Sequence, residues 1–177
     1  RSHIIVQDGR NHLELTKEKY DVVISEPSNP WMAGLANLFT LDFFETVKDR
    51  MTDNGTFVQW IHSYQTDWSS FSMVGQTFGK VFPNGIFVKA TPSDFLLIGF
   101  KGKRNLDMDM AYQNLQYTLK SQNITIRDPK PLYSMIVTED LKDFFGPGPL
   151  HTDNWPRLES AAPKNLAKTD LFIMERV

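Results

Sequence analysis

The sequence predicts an α/β fold built on an open, largely parallel sheet that closes with an antiparallel hairpin at its edge. Three observations predict it. Short β-branched runs alternate with segments of helical period through the first half, as strands joined by crossover helices require. Two later strand-like runs are separated only by Thr91-Pro-Ser-Asp94, a link that fits a hairpin and is too short for a crossover. Polar and turn-forming residues gather where strands should end, and sheets of this kind bind ligands beyond the carboxyl ends of their strands.

Taken in order, residues 2–7 read as a buried strand ending at Asp8-Gly9, and residues 10–15 as a short helix. Tyr20 to Ser25 (YDVVIS) is a β-branched strand, followed by the loop Glu26 to Gly34. Positions Leu38, Leu41, Phe44, Val47, Lys48 and Met51 recur near helical period, and Asp53-Asn54-Gly55 ends that helix. Thr56 to Ile61 is the next strand. Trp68 to Val81 reads as a helix capped by Thr66 or Asp67 and stopped by Phe82-Pro-Asn-Gly85. The hairpin strands are Ile86 to Ala90 and Phe95 to Phe100. Residues 105–122 should form a helix with Leu106, Met110, Leu115 and Leu119 inward, and residues 132–145 another. Gly146-Pro-Gly-Pro149 breaks the pattern, and the tail after it shows little periodicity. The 177 residues are expected to form a single domain, with sheet and helices in 1–104 and further helices and a tail in 105–177.

Composition narrows the function classes. With 41% apolar and 23% charged residues the chain is ordinary globular protein. A formal charge of -2 provides no broad positive field for phosphate backbones, so nucleic acid is not an expected partner. The absence of cysteine removes disulfides, thiolate metal sites and a cysteine nucleophile, and fits a reducing, cytoplasmic setting. The apolar runs are strand-sized, well short of the roughly 20 residues that span a bilayer. No metal is expected.

The loop ISEPSNPWMAG, residues 24–34, is the main functional candidate. Pro27 and Pro30 fix its backbone, Gly34 permits a sharp exit, and Glu26 and Asn29 would present an acceptor and an amide to one point. Such a point suits an amine or a sugar hydroxyl. The competing reading is structural: Glu26 caps the following helix or pairs with a lysine, and Trp31 fills core. His62 can be read as an acid/base group, although a lone histidine at a strand end is more often a satisfied structural residue. Asp153, Arg157 and Glu159 either cover the cleft or belong to a packed tail.

The order strand-Asp-Gly, then YDVVISEPSNPWMAGLANLFTLDFF, then GTFVQW, resembles the polyamine aminopropyltransferases, the spermidine and spermine synthases. Their loop typically reads D-x-x-D-P followed by G-P-A-x-x-L-F. Glu26 and Asn29 stand at the two aspartates, Pro30 matches, and Gly34-Leu-Ala-Asn-Leu-Phe39 takes the second segment. The tail His151-Thr-Asp-Asn-Trp-Pro-Arg-Leu-Glu159, with Ala162-Pro163 after it, is similar to the N-T-D-D-x-P-x-L-E-F ending of synthase-like proteins often fused to membrane segments.

That resemblance implies the Rossmann-like fold of class I S-adenosylmethionine-dependent methyltransferases, of which this would be the C-terminal half. It implies decarboxylated S-adenosylmethionine, or S-adenosylmethionine, as co-substrate and a small-molecule amine as acceptor. Carried over position by position, Asp8 with Gly9 would touch the adenine end, Glu26 would accept the amine proton, and Asn29, Gln59 and Tyr64 would lie at the acceptor. The chemistry is attack of an amine nitrogen on the carbon beside a sulfonium, so the amine must be deprotonated and aligned. Asn29 removes a negative charge where a diamine would be gripped, and Ala90-Thr-Pro-Ser-Asp94 lacks the tyrosine of the usual P-T-Y-P-S-G segment. An acceptor other than the usual diamine is therefore expected. Two alternatives stay open: a methyltransferase on the same fold, and a non-catalytic regulatory domain of a membrane protein, at whose cytoplasmic face it would lie. The Gly-rich loop and acidic residue of the family's nucleoside site do not occur in this stretch, so alone it is expected to be inactive and to self-associate or pack with an N-terminal half.

Overall fold

A computed structural model describes residues 3–30, 32, 34–103, 108–120 and 133–165. The elements in chain order are α1 (Gly9–Leu15), β1 (Tyr20–Ser25), a 3-10 turn (Leu35–Phe39), α2 (Leu41–Arg50), β2 (Met51–His62), α3 (Trp68–Val81), β3 (Ile86–Lys89), β4 (Asp94–Phe100), α4 (Met108–Lys120), β5 (Ile136–Thr138), α5 (Leu141–Phe145) and α6 (Arg157–Asn165). The sheet runs β1-β2-β4-β3-β5. Parallel β1 and β2 lie at one side, and antiparallel pairing continues from β2 through β4 and β3 to β5. The α/β class and the antiparallel hairpin are as the sequence predicts, but the described sheet is not largely parallel: only β1 and β2 pair in parallel, because the hairpin strand β4 pairs with β2 and β5 adds to β3, both antiparallel.

Local chemistry sets the helix boundaries. Thr40 caps α2, its hydroxyl accepting the Phe43 N–H at 3.2 Å, and this break separates α2 from the 3-10 turn within what reads as one helical period. Asp67 caps α3 by accepting the Ser70 N–H at 2.8 Å. Lys48 holds its ammonium over the Phe82 ring, 5.6 Å from the centroid, and donates it to the Val81 carbonyl at 2.7 Å, which is how a lysine occupies a near-core position.

The core lies between one face of the sheet and α2, α3 and α5. Strand alternation points Phe57, Phe87, Phe95 and Leu97 to this face, all fully buried. Phe44 and Phe78 pack on Phe57 with ring centroids 5.9 and 5.6 Å apart, and Phe71 meets Phe95 at 5.5 Å. Each such buried ring contributes about 1.5–3 kcal/mol of transfer free energy. Gly75 of α3 makes room for α5: a Cβ there would sit 2.4 Å from the Phe145 ring. The other sheet face is open at β1, where Val22 and Ile24 are 57% and 70% exposed. Among the described residues no helix is long and apolar enough to cross a membrane.

Several expectations are corrected. Residues 3–6 form no strand, and Ile4 and Val6 are 90% and 96% exposed, because no strand among the described residues pairs with them. The Asp53-Asn54-Gly55 signal ends no element; β2 runs through it with a register shift between Tyr20↔Met51 and Val22↔Thr56. Residues 132–145 are not one helix: Ile136–Thr138 is a strand paired with β3, and only Leu141–Phe145 is helical. Met110 on α4 is 57% exposed rather than inward, Leu115 and Leu119 are half-buried, and Leu106 lies outside the described residues. The tail forms α6, with Leu158, Ala162 and Asn165 buried along one stripe despite Pro163.

Candidate functional site

Parallel pairing places Ser25, the last residue of β1, beside Gln59, and β2 runs on to His62, so Glu26 stands just beyond the end of the edge strand. Asp8 turns the chain into α1 instead of ending a strand: its Oδ1 accepts the Asn11 N–H at 2.8 Å and makes it the N-cap of that helix. Between α1, β1 and the loop lies a cleft of about 490 Å³ lined by Asp8, Gly9, Ser25, Glu26 and Gly34 together with apolar side chains. Glu26 thus shares one cavity with the Asp8-Gly9 pair that precedes it by some seventeen residues.

The loop is built from its buried prolines, Pro27 and Pro30, and from two successive turns, Met32 N–H to Asn29 O at 3.0 Å and Leu35 N–H to Met32 O at 3.1 Å. It leaves through Gly34 at φ 82°, a left-handed conformation that glycine adopts without strain. Glu26 is exposed and makes no hydrogen bond or ion pair among the described residues, so it neither caps the following helix nor pairs with a described lysine; α2 is capped by Thr40. Trp31 lies outside the described residues.

The remaining predicted residues lie apart from Asp8 and Gly9. Asn29 is half-buried, and its Oδ1 accepts the Tyr64 hydroxyl at 3.0 Å. Neither side chain lines the cleft. Gln59 is fully buried on the core face; its Nε2 donates to the Trp60 carbonyl at 3.0 Å while Oε1 is a buried acceptor with no hydrogen-bond partner among the described residues. Such an acceptor suits a donor group that arrives with a ligand.

His62 is 1% exposed and lies with its ring stacked on Tyr64 at 4.0 Å between centroids. Its Nδ1 bonds the Tyr64 carbonyl at 2.9 Å. Burial pushes its pKa down to about 4, against the smaller opposing pulls of that carbonyl and of Asp94, so the ring is neutral near pH 7 and props Tyr64. Among the described residues no three His, Asp or Glu side chains converge as a metal site would need.

Arg10 escapes a reading of the sequence. It lines the cleft, donates from Nη1 to Asn37 O and to Asp153 Oδ1, both at 3.0 Å, and its Nη2 contacts Asp153 Oδ2. The guanidinium holds the Asp153 carboxyl below the usual carboxylate range. Residues 10 and 153 are too far apart in sequence for any local pattern to join them; the only signal is the Thr-Asp-Asn tail itself. Asp153 and Glu159 therefore belong to a packed tail that closes one side of the loop, with Glu159 accepting the Gly34 N–H at 3.1 Å.

Comparison with known proteins bears on the family and the fold. Residues 1–95 match the spermine/spermidine synthase domain. The polyamine aminopropyltransferase of Thermococcus onnurineus is 30% identical over 120 residues, 63% of this chain and 42% of that protein. The enzyme of the same name from Buchnera aphidicola subsp. Acyrthosiphon pisum is 40% identical over 58 residues, 33% of this chain and 20% of that protein. The chain spans less than half the length of these curated relatives. Among solved structures, a spermidine synthase in complex with the transition-state analogue AdoDATO superposes with a TM-score of 0.56 at 16% identity, covering 77% of this chain and 46% of that one. A probable spermidine synthase from Corynebacterium glutamicum gives 0.55 at 16% identity, covering 84% and 53%. At such identity these likenesses establish a shared fold. The family match takes in more than half of the 177 residues, including the loop and both ends of the cleft, and the chain belongs to the spermine/spermidine synthase family.

Proposed function

We propose that the protein carrying this chain transfers an aminopropyl group from decarboxylated S-adenosylmethionine to an amine acceptor, with Glu26 accepting the amine proton. The observation that carries this reading is the cleft that Glu26 shares with Asp8 and Gly9. Two carboxylates on one cavity suit a cationic sulfonium nucleoside and an ammonium. The free amine nitrogen attacks the methylene beside the sulfonium, the nitrogen–carbon bond forms as the carbon–sulfur bond breaks, and the sulfur leaves as a neutral thioether. Glu26 takes the proton the amine loses. In this reading Asp8 and Gly9 hold the adenine end, and Gln59, buried on the core face away from the cleft, is given no direct contact with the amine. That a synthase of this fold has been solved with a transition-state analogue supports the same co-substrate class.

Asn29 and Tyr64 bear on the acceptor. The Asn29 side chain is uncharged, and its carbonyl already accepts the Tyr64 hydroxyl with one of its two lone pairs. A second ammonium would meet no countercharge there, so the acceptor in this reading is an amine without a second cation at that distance. Exposed Val22 and Ile24 on the edge strand β1 support self-association or packing against further sequence. A cytoplasmic setting goes with a chain that has no cysteine to oxidise.

The test incubates the full-length protein with decarboxylated S-adenosylmethionine and a panel of amines, and identifies products by mass. An aminopropyl increment on an amine supports the reading. A methyl increment with S-adenosylmethionine, or no product with any amine, overturns it.

A further inference from the structure

Three backbone groups leaving the candidate loop are held by the tail, across more than a hundred residues of sequence. The Gly34 N–H donates to Glu159 Oε1 at 3.1 Å. The Ala36 carbonyl accepts from His151 Nε2 at 2.9 Å. The Leu41 N–H donates to the His151 carbonyl at 2.8 Å. His151 is fully buried and is itself fixed at two further points, since its N–H donates to Thr77 Oγ1 of α3 at 3.0 Å and its Nδ1 accepts the Leu158 N–H at 3.3 Å. A carbonyl only accepts and a backbone N–H only donates, so the ring is neutral with its proton on Nε2. These bonds fall on the backbone of the loop exit, the 3-10 turn and the start of α2, in addition to the packing of Leu158 and Ala162 into the core.

We propose that Glu159 and His151 are positioning residues for the loop that carries Glu26, holding the chain from Gly34 to Leu41 so that Glu26 faces the cleft in one orientation. The proposal rests on the aminopropyl-transfer reading for what the loop positions, but the mechanical link is independent of it. Gly34 lines the cleft, so a shift at its amide is felt directly where Glu26 stands. The left-handed φ of Gly34 leaves this exit without help from a side chain of its own, and the charge-assisted bond from Glu159 supplies the restraint. His151 anchors the same segment to α3, which belongs to the rigid core.

The test uses the full-length protein with E159A, E159Q and H151A. Hydrogen exchange of the peptide containing Gly34 to Phe39 is read by mass spectrometry alongside steady-state kinetics. E159A should speed exchange in that peptide, raise KM for the amine and lower kcat/KM about ten- to a hundred-fold, as small misplacements of reacting groups do. The folded fraction should stay unchanged, because Glu159 is exposed. E159Q keeps an oxygen acceptor but loses the charge, and should restore both readouts in part. A merely structural contact would lower the active fraction and leave KM alone. Unchanged exchange in E159A overturns the proposal, as does E159Q behaving like E159A. If the unsubstituted protein transfers no aminopropyl group but exchange still responds to E159A, the functional reading fails and the positioning role stands.

Discussion

Replacing His151 by alanine should be among the most destabilising single changes in the tail, and the structure gives the size of the effect. The imidazole joins the Ala36 carbonyl on one side to the Leu158 N–H on the other, with no exposure to water. Alanine leaves a buried acceptor and a buried donor without a partner, each at about 1–3 kcal/mol. Added to the lost packing of the ring, the total is about 3–5 kcal/mol, a large share of the roughly 5–15 kcal/mol that stabilises a folded domain. At the entropy of unfolding expected for this length, the melting temperature should fall by about 10 °C. Asparagine places an oxygen near Nδ1 and glutamine an amide N–H near Nε2, so H151N and H151Q should each recover part of the loss. Thermal unfolding of the three variants by circular dichroism measures it. A loss below about 1 kcal/mol for H151A would refute the hydrogen-bond argument, and so would H151N and H151Q both matching alanine.

Other consequences are more briefly put. His62 and His151 both have folded-state pKa values below the ordinary 6.5. Their contribution is complete above that value and is lost as pH falls from 6.5 toward about 4, where His62 titrates in the folded state. The His62 term alone reaches about 3 kcal/mol at most. Urea unfolding at pH 7 and pH 4.5 should show the difference, and equal midpoints would contradict it. G75A drives a methyl group into the Phe145 ring, at 2.4 Å before relaxation, and should cost about 1–3 kcal/mol by overpacking; an unchanged urea midpoint would show that α5 moves away freely. Replacing Val22 and Ile24 by threonine should weaken self-association in light scattering. A monomer at high concentration before the change would remove the premise.

What the sequence disclosed and what it hid follow from how local each determinant is. Helix α3 was legible because its cap, Asp67, and its stop at Phe82 lie within the segment itself. The hairpin was legible because its turn is four residues long. Strands depend on neighbours, and the two misread segments show it: Ile4-Ile5-Val6 has strand composition but pairs with nothing described, while Ile136–Thr138 sits in a helix-like stretch and is a strand because β3 offers it an edge. The loop around Glu26 was marked by its prolines and glycine, all local signals. Gln59 was assigned to an acceptor site by resemblance, but the alternation of β2 buries it among phenylalanines, and only its unpartnered oxygen keeps a role open. Arg10 with Asp153, and His151 with Ala36, could not be read at all, because each joins residues more than a hundred positions apart.

The most direct test of the central claim is the single-turnover rate of aminopropyl transfer in the full-length protein with Glu26→Gln, measured beside nucleoside binding by calorimetry. Glutamine preserves the shape of the side chain but cannot take a proton. Transfer should fall by about a hundred-fold or more while the nucleoside still binds, as loss of a general base requires. Transfer at the rate of the unsubstituted protein would contradict the assignment of Glu26 and, with it, the meaning given to the cleft.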